Sequence, residues 1–153
     1  MHQVIKRYGH ERGYSVAFRQ YKAESHCRFI HGYALAFEFG FTCKEKSKEG
    51  WVVDFGGLDR LKQYLDQNFD HKFWACVDDP MINEFRQLED KGIVDMIIHD
   101  DNVNCETFAY EAFKLAEEAL DAAVDNRHRH VRVQYCKVSE HNGNHAIYGD
   151  SNE

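Results

Sequence analysis

Residues 29–43 carry the clearest pattern in the chain, an alternation with a period of two. Phe29, His31, Tyr33, Leu35, Phe37, Phe39, Phe41 and Cys43 occupy the odd positions. Successive side chains of a strand point to opposite faces, so these residues share one face of a long strand. The other face, with Gly32, Ala34, Ala36 and Gly40, is mostly small and leaves room for close packing. A first strand is predicted over 14–22. Residues 44–50 read as a polar turn. Trp51-Val52-Val53-Asp54-Phe55 is a short apolar run closed by Gly56-Gly57. Leu58, Leu61 and Leu65 then recur at helical spacing. Residues 78–92 suit a short helix, and 93–99 a short strand or extended loop. The strongest helical pattern spans 105–124, with Phe108, Ala112, Leu115 and Ala119 on one face. Residues 131–139 read as a strand and 146–148 as the centre of a last one.

Two hairpins separated by a pair of helices predict an α+β fold with helices on one face of an antiparallel sheet. With one proline and no composition break, residues 1–153 read as one domain. Residues 75–101 form its least patterned stretch, placed as a lid or an interface element. The open edges of so small a sheet need covering, and assembly of copies into a ring or barrel is one solution.

Composition narrows the function. The formal charge is −7 with no sustained basic run, which argues against nucleic acid or an anionic membrane as partner. Five scattered cysteines, without a Cys-x-x-Cys, argue against a disulfide framework or a four-cysteine zinc knuckle. No apolar run approaches the ~20 residues of a membrane span. Residues 1–7 lack the apolar centre of a signal peptide, so a reducing cytoplasm is expected.

Several short motifs follow one another in order. Tyr14-Ser15-Val16-Ala17-Phe18-Arg19-Gln20 matches Phe-Ser-Ala-Ala-His-Arg-Leu. Cys27-Arg28-Phe29-Ile30-His31-Gly32-Tyr33 matches Cys-x-x-x-His-Gly-His. Gly50 to Phe55 matches Gly-hydrophobic-Val-x-Asp-Phe, and Phe69-Asp70-His71 matches Leu-Asp-His. Asn104-Cys105-Glu106-Thr107-Phe108-Ala109 is a weaker match to Thr-Ala-Glu-Asn-Leu-Ala. Val138-Ser139-Glu140 with Ala146 and Tyr148 matches a closing Val-x-Glu and Ala-x-Tyr. In this order, the motifs resemble the 6-pyruvoyl- and 6-carboxy-tetrahydropterin synthase family.

That resemblance implies the T-fold, a four-stranded antiparallel sheet with two helices between its second and third strands. It implies an oligomeric barrel, trimeric or hexameric, with sites at subunit interfaces. The implied activity is that of a lyase acting on 7,8-dihydroneopterin triphosphate or a related pterin. In the bacterial branch the product is 6-carboxy-tetrahydropterin, on the route to 7-deazaguanines and queuosine. The alternative is a zinc-less binding module that keeps a pterin or purine pocket without synthase activity.

Roles follow by position. Cys27 is the implied catalytic thiol, a role that needs some thiolate near neutral pH. Asp70 and His71 are the implied proton relay, since a carboxylate can orient an imidazole and set its tautomer. Without the resemblance these would read as a loop cysteine and a polar turn. Glu140 is the implied pterin anchor, because one carboxylate accepts the two adjacent donors of a pterin's 2-amino and N3 edge. An alternative alignment puts Tyr135 there, but Ala146 and Tyr148 match only with Glu140. Glu106 is a second candidate carboxylate. The implied cofactor is zinc, on three histidines whose positions here hold Phe18, His31 and Tyr33. Only His31 is a good zinc ligand, so the metal stays open. His26, His141 and His145 are possible substitutes. His128-Arg129-His130 reads as a solvated turn.

Overall fold

A computed structural model describes residues 1–150; residues 151–153 of the expected domain lie outside the described residues. In chain order the elements are β1 (His2–Tyr8), β2 (Tyr14–Phe18), β3 (His31–Cys43), α1 (Asp59–Phe69), β4 (Lys72–Cys76), α2 (Ile82–Asp90), β5 (Met96–His99), α3 (Cys105–Asp121), α4 (Val124–His128), β6 (Arg132–His141) and β7 (Asn144–Gly149). The sheet runs β5-β4-β2-β3-β6-β7, with β1 also paired to β3. The long strand β3 organises it. Its first half pairs with β2, from Phe18 opposite His31 to Tyr14 opposite Leu35. Its second half pairs on the same edge with β1, from Tyr8 opposite Phe37 to His2 opposite Cys43. On the other edge β6 pairs with 36–42, and β7 follows β6.

A four-stranded antiparallel sheet is therefore present, but its members are β1, β3, β6 and β7. The expected strand 14–22 stops at Phe18, because the Gln20 amide donates to the Cys27 carbonyl at 3.0 Å instead of to a strand. It belongs to an extension in which β4 pairs in parallel with β2, and β5 with β4. Residues 75–101 thus supply part of the sheet as well as α2. The expected strand from 29 begins at His31, leaving Phe29 and Ile30 exposed. Residues 51–54 form no strand, but the Arg129 Nη1 group donates to the Glu45, Trp51 and Val52 carbonyls and ties this loop down.

The main core lies between the sheet and α1 and α3; Phe73 and Ala75 of β4 face the other way and pack with Phe85 of α2, so the helices do not all share one face as expected. Phe37, Phe39 and Phe41 are at most 1% exposed, as their strand face predicts. Full burial of each such ring stabilises by about 1.5–3 kcal/mol. Leu61, Leu65 and Phe69 form the inner stripe of α1. On α3 the buried stripe is Phe108, Ala109, Ala112, Ala116 and Leu120, rotated from the expected one; Leu115 and Ala119 sit at its margin. Alanines there let the helix approach β6 and β7 closely. Phe69, Trp74 and Phe108 pack ring on ring, with centroids 5.2–5.9 Å apart. No described helix is long and apolar enough to cross a membrane.

The small face of β3 receives a ring. A Cβ on Gly40 would lie 2.3 Å from Tyr135 Cε1. The Tyr135 hydroxyl donates to Glu38 Oε1 at 2.8 Å, so the ring is held in place. We expect Gly40→Ala to cost about 1–3 kcal/mol through this overpacking, measured as a lower midpoint in urea unfolding. An unchanged midpoint would show that the ring moves aside freely.

Candidate active site

A cleft of about 650 Å³ opens where the start of β3, the start of α3 and the end of β6 meet the 19–30 loop. Its walls bring together Cys27, His31, Tyr33, Cys105, Glu106 and Glu140. Residues separated by more than a hundred positions converge because β6 pairs with β3 while α3 packs on β6. A separate groove of about 510 Å³, between β1 and residues 50–55, is lined by Val4, Trp51 and Phe55 and holds none of the candidate residues.

Local structure sets each group. Cys27 lies in a 3₁₀ turn, His26–Arg28, capped by Ser25, whose hydroxyl accepts the Cys27 amide at 3.4 Å. It is half-buried, whereas Cys43, Cys76, Cys105 and Cys136 are buried. His31 and Tyr33 project from one face of β3, with ring centroids 5.6 Å apart. The His31 Nδ1–H donates to the Phe29 carbonyl at 2.8 Å, which leaves Nε2 as the acceptor nitrogen. Asn104 caps α3 by accepting the Thr107 amide at 2.9 Å, and Cys105 and Glu106 follow in the first turn. Glu140 is next to Ser139, whose hydroxyl lies 2.6 Å from His145 Nδ1 across the β6–β7 hairpin.

Electrostatics acts on the deeper cleft thiol, Cys105. Burial, then the Glu140 and Glu106 carboxylates, push the Cys105 thiol up to about 12. It stays protonated at neutral pH and donates to the Val138 carbonyl at 3.5 Å. Burial, then Glu140, also raises Tyr33 above the ordinary tyrosine value. Its hydroxyl is therefore a proton donor at neutral pH. Sequence reasoning gave Cys105 no role, because its burial depends on α3 docking against β6.

The structure places Asp70 and His71 elsewhere. They are exposed and do not line the cleft. Lys72 pairs with Val16, so His71 lies toward the start of β2, while the cleft opens near Phe18 at its end. The His71 Nδ1–H donates to Asp70 Oδ1 at 2.6 Å, the carboxylate-oriented imidazole expected from the sequence. His71 has φ 55°, directly after the α1 C-cap Asp70. That left-handed position usually belongs to glycine, and a Cβ there costs about 1–2 kcal/mol. Tyr135, the alternative anchor, packs on Gly40 away from the cleft lining, whereas Glu140 is in it.

The donor set does not fit the implied zinc. Phe18 is a phenyl ring without a lone pair, buried at 3% exposure and packed edge-on against Phe108 at 5.1 Å. It also lies 4.7 Å from the His31 ring, so an apolar group fills the space beside that imidazole. Tyr33 offers a protonated phenol. His26 and His145 line the cleft, but no three His, Cys, Asp or Glu side chains among the described residues are arranged to hold a metal ion.

The chain and its fold are similar to known proteins. The chain is 35% identical over 57 residues to a 6-carboxy-5,6,7,8-tetrahydropterin synthase of Rickettsia conorii, covering 37% of this chain and 41% of that one. The corresponding Rickettsia typhi protein is 36% identical over 64 residues, covering 41% and 45%. The chain thus spans less than half the length of these curated relatives. Among solved structures, an uncharacterised protein from Wolinella succinogenes superposes with a TM-score of 0.78 at 16% identity, over 98% of both chains. The 6-pyruvoyl tetrahydropterin synthase of Plasmodium falciparum superposes at 0.66 and 14% identity, over 95% of this chain and 96% of that one. These likenesses give the T-fold. The family model for 6-pyruvoyl tetrahydropterin synthase matches residues 9–151, and by that match the chain belongs to the 6-pyruvoyl tetrahydropterin synthase family.

Proposed function

We propose that this chain is a pterin synthase-like lyase acting on 7,8-dihydroneopterin triphosphate or a closely related pterin. The observation that carries the reading is the convergence of Cys27, Tyr33 and Glu140 in one cleft large enough for a bicyclic ring. The names of the curated relatives favour a 6-carboxy-tetrahydropterin product, and so the 7-deazaguanine and queuosine route.

In this reading Glu140 accepts the 2-amino and N3 donors of the pterin in a fork. That fixes the ring and aims its side chain across the cleft. Cys27 then takes or returns a proton at the side-chain carbon. The protonated Tyr33 hydroxyl donates to a side-chain oxygen, and His31 Nε2 accepts from a side-chain hydroxyl. Asp70 and His71 sit outside their own cleft and point to a homo-oligomer in which a neighbouring copy supplies them. Zinc, where a family member holds it, acidifies the side-chain carbon; Phe18 and Tyr33 leave this chain without that set of ligands.

The strained backbone of His71 gives a test of use over structure. We expect His71→Gly to raise stability by up to ~1 kcal/mol, since glycine relieves the left-handed strain, while turnover is lost. A lower unfolding midpoint or retained turnover would contradict this.

Incubation with 7,8-dihydroneopterin triphosphate, with and without added zinc, tests the whole reading by product analysis. A tetrahydropterin product supports it. No turnover in either condition removes this substrate and favours the second reading, a zinc-less pterin or purine binding module, for which Phe18 in a ligand position is the specific support.

A further inference from the structure

We propose that Arg19 and Asp79 form a clamp that positions Cys27, and that residues 75–101 serve the cleft through it. The proposal rests on reading Cys27 as the working thiol. Asp79 follows β4, and its side chain is only 2% exposed. Both of its oxygens are used. Arg19 Nε donates to Oδ2 at 2.8 Å and Arg19 Nη2 to Oδ1 at 2.6 Å. The Met81 amide adds a bond to Oδ1 at 2.9 Å. The two partners are 60 positions apart and join the β4–α2 turn to the end of β2.

The third arm of the fork points at the thiol's loop. Arg19 Nη1 donates to the Arg28 carbonyl at 3.3 Å, and the Gln20 amide to the Cys27 carbonyl at 3.0 Å. The carbonyls of Cys27 and Arg28, the middle and last residues of the turn, are thus held by residues 20 and 19. Arg28 closes the loop on itself through its Nη1 bonds to the Glu24 and Ser25 carbonyls, at 3.0 and 3.1 Å. The Arg19 guanidinium also lies 5.7 Å from the Phe85 ring of α2.

Physical chemistry explains why such a pair serves position more than stability. Removing two charges from water offsets most of their attraction, so a buried ion pair is a weak source of net stability. Its bidentate geometry is specific, and a lysine cannot reproduce the fork. A loop that only had to be closed would not need a buried carboxylate from the far side of the sheet. A loop that must hold a thiol at one place in a cleft does.

Four of the five cysteines are buried, so alkylation of the folded protein reads Cys27 alone. The test is the rate of reaction with iodoacetamide, well below the unfolding temperature, in Arg19→Gln, Asp79→Asn and the double variant. Release of the loop exposes the half-buried thiol, so each single variant is expected to react at least about threefold faster, reactivity following access. The double variant is expected to match the singles, because both remove one unit. Unchanged or slower alkylation with a lowered unfolding midpoint overturns the proposal and makes the pair purely structural. Should either variant fail to fold, Arg19→Lys keeps the charge beside Asp79 but drops the arm on Arg28; faster alkylation supports the clamp and an unchanged rate overturns it. No pterin is needed, so the clamp and the pterin reading fail separately.

Discussion

Replacing Glu140 with alanine is expected to weaken pterin binding about a hundredfold or more. Two charge-assisted hydrogen bonds from one carboxylate contribute roughly 3 kcal/mol together after partial solvent exposure is allowed for. Glutamine should fall between, since its amide oxygen still accepts one donor while its NH₂ opposes the other. Folding should change little, because Glu140 is partly exposed and no described side chain depends on it for a hydrogen bond. Calorimetric titration of a non-reacting pterin onto both variants reads this directly. Affinity within a few-fold of the parent would remove Glu140 as the anchor.

The second large effect belongs to Cys27. In the proposed reading, Cys27→Ala lowers the chemical step by about 10²–10⁴-fold, the usual scale for a positioned proton-transfer group. Pterin affinity should stay near that of the parent. The neighbouring Cys105 does not take over, because burial and two carboxylates push its thiol up to about 12. Single-turnover kinetics with a matched binding measurement separates the two quantities. Equal losses in binding and chemistry would make Cys27 a wall of the cleft and not its proton carrier.

Much of the fold follows from local periodicity. The β3 alternation places Phe37, Phe39 and Phe41 in the core, and the α1 and α3 stripes dock as helical spacing requires. What local pattern missed is non-local. β1 alternates too weakly to read as a strand, since Val4, Lys6 and Tyr8 share its inner face. It forms because half of β3 offers an unpaired edge. The parallel strands β4 and β5 exist only through β2.

The site divides in the same way. The motifs name Cys27, His31, Glu106 and Glu140, and one cleft collects them. They also name Asp70 and His71, which the chain holds outside that cleft. In the proposed reading a second copy of the chain supplies them. The Arg19–Asp79 pair has no local signature, because its partners meet only after β2, β4 and the 19–30 loop are in place. The resemblance marks Phe18 as occupying a zinc-ligand position. That its ring fills the space beside His31 required the packing against Phe108.

In the proposed reading this cleft grips a pterin without the family's zinc site. The most direct test is titration of a pterin onto protein first stripped with a chelator, with metal content verified, and then repeated after zinc is added back. The same affinity is expected in both titrations, with loss in Glu140→Ala. Binding that appears only with zinc, or no pterin binding at all, would contradict the reading.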